Sequence, residues 1–331
     1  MRVLIWPVHG GYTDAFVRGD HEYLMPVEGI DDPPGPTAWG WSKAREVPAD
    51  QLRDEHIDVV VLQGPAEVAK VELLTGRVPG VDLPAVYLEH NTPGPEAVGR
   101  VHPLAGQREV PIVHVTHFNR LFWDNGDADT YVVEHGVPDP GALYTGELPR
   151  IGAVINEPVR RWRVTGTDLL PVFGQDAPVD VFGMGGDLLA GAFPRGHAVH
   201  AAGDLPPSRM HPALARRRVY LHPFRWTSLG LSLLEAMHLA MPVVALATTE
   251  VVRAVPPGAG VVSTDVDELR RAVRTLIDDP ELARAMGQRA RAEVLSRYGL
   301  PAFLSRWEEV LGEVIATASS RRMPRLGAVR S

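Results

Sequence analysis

The sequence has no cysteine, which removes disulfides, thiolate nucleophiles and cysteine-ligated metals. That absence suits a reducing compartment, and a cytoplasmic location is the expectation. No apolar run approaches the roughly 20 residues that a bilayer-spanning helix needs. The opening stretch MRVLIWPVHGG is apolar but lacks the cationic flank and the length of a secretory signal. Neither a G-x-S-x-G nor a P-loop occurs, so serine hydrolase and kinase chemistry have no support. Acids outnumber bases, 41 to 33, for a net charge of −8. A general nucleic-acid binder is not expected from that balance. One stretch departs from it, 319–331, with Arg321, Arg322, Arg325, Arg330 and no acid. A frayed, solvated end is its plainer reading; peripheral contact with an anionic membrane surface is the sharper one.

The composition that remains is that of a globular chain. Its 331 residues, 45% hydrophobic and 22% charged, suit two domains with ordinary cores. Thirty prolines and 32 glycines imply many short connections. Apolar, β-branched runs of strand length recur at 2–8, 57–63, 83–90, 110–116 and 130–136, and again at 151–156, 179–185, 218–223, 242–247 and 260–264. Such continuous runs belong to strands covered on both faces. Helical periodicity lies between them and dominates after residue 265: Leu269, Val273 and Leu276 form one stripe. Residues 26–50 read as a long loop, rich in Pro, Gly and Trp. The pattern restarts after PDPGALYTGELPR at 138–150, so the expected class is α/β, two parallel-sheet domains facing a central cleft.

Chemistry concentrates in HPFRWTSLGLSLLEAMHLAMPVVA, residues 222–245. A strand leads into it, and Thr227 or Ser228 is placed to cap a helix through LGLSLLEAMHLA. Small residues around Gly230 keep the first turn open, and the unpaired N–H groups of such a turn bind phosphate. Glu235, about a turn further, can accept two hydrogen bonds from a ribose diol; a solvated helix glutamate is the plainer alternative. Six histidines, His9, His90, His114, His117, His135 and His222, fall at or near the ends of these strand runs, where open α/β sheets face ligands. No His, Asp and Glu set has metal-ligand spacing, so no metal site is expected.

The run 228–245 resembles the donor-site signature of retaining glycosyltransferases of family 4, which have the GT-B fold. Gly230, Leu231, Glu235, Ala236, Met237, Pro242 and Val243 match its pattern. VYLEHN (86–91), VVEHGVPDP (132–140), VDVFGMGG (179–186) and the helical end from Ser263 extend the resemblance over most of 85–315. It implies two Rossmann-like domains: an acceptor-binding one over 1–145 and a nucleotide-sugar-binding one over 146–300. A helix over 301–318 would pack back on the first, followed by a flexible basic tail, 319–331.

The resemblance also implies roles. Glu235 would hold the ribose hydroxyls of a nucleoside-diphosphate sugar, and the amides of Leu229, Gly230 and Leu231 would cradle its distal phosphate. Gly183 would lie close to the base or ribose. His90 would contact the transferred sugar or the acceptor, and His9, Gly10 and Gly11 would make room for the acceptor. Two departures stand out. Thr227 replaces the first glutamate of the family's pair, and Asn156 stands where a phosphate-binding arginine is usual. Arg160, Arg161 and Arg163 crowd the same loop, and guanidinium groups grip a diphosphate bidentately. Arg163 and His90 are therefore the expected catalytic residues, with Arg160, Arg161 and Thr227 on the donor. The expected activity is a glycosyltransferase, hexosyl transfer above all, acting with retention and without a metal or other cofactor. A non-catalytic nucleotide-sugar binder is the alternative, and an epimerase of the same architecture a distant third.

Overall fold

The structure is a computed structural model that describes residues 1–8, 10–27, 29, 35–94 and 96–322. The chain divides into two compact units, Met1–Gly136 with Leu300–Ser331, and Val137–Gly299. The division falls ahead of residue 145. Val137 donates its N–H to Tyr298 O, and Tyr144 donates to Leu239 O, so residues after Gly136 are hydrogen-bonded within the second unit.

Unit 1 is a seven-stranded sheet: β1 (Arg2–Ile5), β2 (Glu22–Val27), β3 (Ala44–Pro48), β4 (Val59–Leu62), β5 (Ala85–Glu89), β6 (Ile112–His114) and β7 (Thr130–Val132). Their order is β3-β2-β1-β4-β5-β6-β7, and every pairing is parallel. β4 and β5 are buried at every position, as their runs of apolar residues demand. β2 and β3 replace part of the loop expected over 26–50. They pair in register over five residues, from Tyr23↔Ala44 to Val27↔Pro48. The last helix, Leu300–Arg322, belongs to this unit and sets Phe303, Trp307, Val310 and Leu311 into the core on one sheet face.

Unit 2 has six strands, β8 (Leu148–Val154), β9 (Val179–Phe182), β10 (Val199–Gly203), β11 (Arg217–His222), β12 (Val243–Leu246) and β13 (Gly260–Ser263). The order is β10-β9-β8-β11-β12-β13, again all parallel. Helices cover both faces, among them Val266–Asp278, capped by Asp265, and Pro280–Arg297, capped by Asp279. The order of each sheet reverses at one place, between β1 and β4 in unit 1 and between β8 and β11 in unit 2. Connections leave such a point in opposite directions, and the gap at the carboxyl ends of its strands is where ligands bind. Among the described residues no helix is long and apolar enough to cross a membrane.

Candidate functional site

In unit 2 the loops after β8, β9 and β11 meet at the switch point. Asn156 Oδ1 accepts the Met184 N–H at 3.1 Å, and Glu157 N–H donates to Met184 O at 2.7 Å. A Cβ at Gly183, φ +119°, would lie 2.7 Å from both Asn156 Oδ1 and Ile155 O, so only glycine fits there. Asn156, where the resemblance expects an arginine, is thus a tie between two loops.

The arginine loop is fastened to the segment after β11. Val164 O accepts the N–H groups of Arg225 (2.9 Å) and Trp226 (3.3 Å). Gly166, φ +71°, lies so close that a Cβ would fall 1.9 Å from Pro223 O. Within this assembly Arg160 pairs with Glu157, and Arg163 reaches Asp168 at 3.3 Å. Arg225 grips the same Asp168 with two nitrogens, at 2.5 and 2.9 Å. Arg161 is half-buried and makes no ion pair among the described residues; burial pulls its pKa below the usual arginine value, without removing its charge. Four guanidinium groups therefore face two carboxylates, and two positive charges are left over.

The next segment ends in the helix Leu231–His238, whose N-cap is Gly230 without a side-chain hydrogen bond. Contrary to the expectation from sequence, Thr227 and Ser228 do not cap it: the helix begins two residues later, after an extended Gly230, so the N–H groups of Leu231 and Ser232 are left for an anion. Leu229 is buried in the core beneath. A Cβ on Gly230 would lie 2.7 Å from His222 Cε1, so the imidazole sits directly under the turn. Glu235 is half-buried one turn into the helix, with His211 Nε2 3.6 Å from Oε2. That distance is within ion-pair range but too long for a hydrogen bond, which leaves the carboxylate able to accept from a ligand. His211 stands on a separate helix, Pro207–Ala215, and no local motif marks it.

His90, Gly10 and Gly11 lie in unit 1. His90 follows β5, its Nε2 2.9 Å from Gln63 Oε1 and its ring edge-on to Tyr12 at 4.7 Å. Gly10 and Gly11 open the helix Gly10–Phe16; His9 lies outside the described residues. The charged groups that follow are engaged within the fold. Asp14 holds Arg18 and the Trp41 indole, Asp20 holds Lys43, and His21 meets Glu308. Glu22 meets Arg2 and Arg45, which keep its carboxyl below the usual range.

Residues 186–293 match the family of glycosyl transferases group 1. The chain carries a glycosyltransferase domain. The match includes Leu229 to Leu231 and Glu235, and it begins after the arginine loop. Whole-chain likeness is structural. The HepE protein of Anabaena, in complex with UDP and glucose, superposes with a TM-score of 0.72 at 15% identity, covering 94% of this chain and 99% of that one. Sucrose-phosphate synthase from Thermosynechococcus elongatus gives 0.70 at 14%, covering 96% and 100%. TarM of S. aureus, solved with UDP among its ligands, gives 0.60 at 14%, covering 76% of this chain and 55% of that one. This chain thus matches about half the length of TarM. At such identities the likeness is one of fold, GT-B with two Rossmann-like units. No curated protein matches the chain in sequence.

The glycosyltransferase domain holds a buried histidine with a measurable consequence. His222 is fully buried and stacks on Phe224 at 4.5 Å, and burial pushes its pKa down to about 3. In unit 1, His114 is pushed down to about 4 for the same reason. Unfolded, each titrates near 6.5. Between those values the unfolded chain binds more protons, so stability falls as pH drops from about 6.5 toward 4, by about 1.4 kcal/mol per pH unit for each group. Urea unfolding across that range should show this slope, reduced by about one proton in His222→Phe. An unchanged slope in that variant would remove His222 as the cause.

Proposed function

We propose that this glycosyltransferase moves a hexosyl group from a nucleoside-diphosphate sugar to an acceptor hydroxyl, with retention of configuration, as in the family-4 enzymes it resembles, and without a metal ion. One observation carries the reading. The half-buried Arg161 makes no ion pair among the described residues and is part of a surplus of two positive charges shared by its loop and the segment, hydrogen-bonded to it, that leads into an uncapped helix start. A diphosphate, anionic and rich in acceptors, satisfies both features. As the bond from the anomeric carbon to the phosphate oxygen breaks, charge grows on the leaving diphosphate. Fixed guanidinium and amide donors stabilise that charge more than the ground state. Arg163 and Arg160 are assigned to the same task, Glu235 to the ribose and the Gly183 turn to the base. Thr227 is assigned to the donor sugar. The acceptor hydroxyl attacks on the face from which the phosphate leaves, with His90 on the sugar or acceptor.

The solved complexes of HepE make UDP-glucose the first donor to try. A panel of nucleotide sugars should contain one that raises the melting temperature and is slowly hydrolysed. Glu235→Ala should weaken its binding about tenfold, the scale of a hydrogen bond to a charged group. Binding without hydrolysis of any donor would favour the non-catalytic reading, for which Thr227 and the structural role of Asn156 speak. Absence of nucleotide binding at millimolar concentration would remove the donor-site assignment altogether.

A further inference from the structure

We propose that Gln63 is a positioning residue that fixes which ring nitrogen of His90 carries the proton; the inference rests on the assignment of His90 to the sugar or acceptor. Gln63 directly follows β4 at the switch point of unit 1 and is 9% exposed. Its side-chain nitrogen donates to Trp6 O at 2.6 Å, and its side-chain oxygen lies 2.9 Å from His90 Nε2. A main-chain carbonyl only accepts, so the amide group must turn its NH2 toward Trp6 and its oxygen toward His90. That oxygen only accepts as well, so His90 Nε2 must donate. In the neutral ring Nδ1 then holds the lone pair.

The surroundings hold this arrangement in place. Asn91 N–H donates to Glu89 Oε1 at 2.7 Å and Asn119 Nδ2 to His90 O at 3.4 Å, so the backbone on both sides of the ring is anchored. Tyr12 meets the ring edge-on, and its own hydroxyl accepts the Trp307 N–H at 2.9 Å. Among the described residues, several titratable groups near the ring have contacts of their own. The Tyr12 phenol is kept protonated by burial. Glu89 is bound to Asn91 and meets His102 at 3.2 Å. Glu67 accepts the Gln63 N–H at 2.6 Å, and Lys70 lies over the Trp6 ring at 5.8 Å. His135 meets the far side of Tyr12. Through its contact with Nε2, Gln63 thus sets the tautomer. Its consequence is chemical: Nδ1 can accept a hydrogen bond from a sugar or acceptor hydroxyl, as a protonated ring or the other tautomer cannot.

Nitrogen-15 chemical shifts of His90 read the tautomer without any substrate. The wild-type protein should show Nε2 protonated and Nδ1 bare, whereas Nδ1 protonated at neutral pH would overturn the proposal. In Gln63→Met the ring should populate both forms, and hydrolysis of the donor selected from the panel, UDP-glucose first, should slow about tenfold with its dissociation constant unchanged, the scale on which orienting partners act. Gln63→Glu keeps an oxygen toward Nε2, so the wild-type tautomer and most of the rate should return. The acid limb of its kcat/KM profile should move up by about one pH unit, because a nearby carboxylate favours the imidazolium. A Met variant with wild-type shifts and rate, or a Glu variant with an unmoved limb, would overturn the assignment. If the wild-type protein binds no nucleotide, the functional reading falls while the nitrogen shifts still decide the tautomer.

Discussion

Replacing Arg161 with alanine is expected to abolish most of the thermal stabilisation given by a nucleoside diphosphate, lowering its affinity and the rate of donor turnover by about a hundredfold or more. The size follows from what surrounds the guanidinium. Arg160 and Arg163 are largely exposed and each meets a carboxylate. Arg161 is half-buried, its pKa is drawn down by burial, and it has no ion pair among the described residues. A desolvated charge without a partner is unfavourable, and an anionic ligand is the group that relieves it. The same reasoning separates ligand binding from structure. Removing an unpaired, half-buried charge should leave the melting temperature of the free protein unchanged or slightly higher, while the ligand-induced shift disappears. Arg160→Ala, which loses an exposed pair with Glu157, should keep most of that shift. Calorimetric titration of the two variants at two ionic strengths checks the claim. An Arg161→Ala protein that binds with wild-type affinity would show that the diphosphate lies elsewhere.

Which arginine stands alone could not be read from the sequence. The motif VRRWRV offers three, with Arg163 expected to be catalytic and Arg160 and Arg161 expected on the donor. The selection is tertiary: Asp168 takes Arg163 and also Arg225, which lies 57 residues away. Gln63 was hidden for the same reason. At the end of β4 it is one more polar residue, and its partners Trp6 and His90 are 57 and 27 residues distant. Glu235, Gly230 and Gly183 stood out because their neighbourhood is local: a strand, a tight turn and the helix after it. The sheet itself was legible where strands are covered on both faces. β4, β5, β9 and β12 are buried at every position and read as apolar runs. Of the four edge strands, β7 and β13 fall within expected runs, whereas β3 and β10 were not legible. AREVP in β3 and VHAAG in β10 each bury one residue fully and expose the rest at least partly, so their composition is that of a loop. β2 was obscured differently, by the charged residues at 18–22 that run directly into a buried strand.

Trp307→Ala should be the most damaging single substitution outside the donor site, costing about 3–5 kcal/mol and lowering the melting temperature by about 10 °C. Trp307 comes from the last helix, 2% exposed, and packs edge-on against Phe16 at 4.9 Å in the unit 1 core. Truncation to alanine removes that burial and leaves a cavity that β1 and the helix Gly10–Phe16 cannot close without moving. It also deletes the hydrogen bond from Nε1 to the buried Tyr12 hydroxyl. Tyr12 is the residue whose ring bears on both His90 and His135, so the damage should not stay in the core. Trp307→Phe separates the two effects. It keeps an aromatic ring among the same neighbours, should recover most of the stability, and leaves Tyr12 without its donor. If Tyr12 holds the His90 ring in place through that bond, the Phe variant will melt near the wild type yet lose donor turnover severalfold, with nucleotide affinity in unit 2 intact. Wild-type turnover in Trp307→Phe would confine Trp307 to packing, and wild-type stability in Trp307→Ala would contradict the core placement of the last helix. The chain's C-terminal helix thus supports the first unit twice, as part of its core and through the orientation of one phenol.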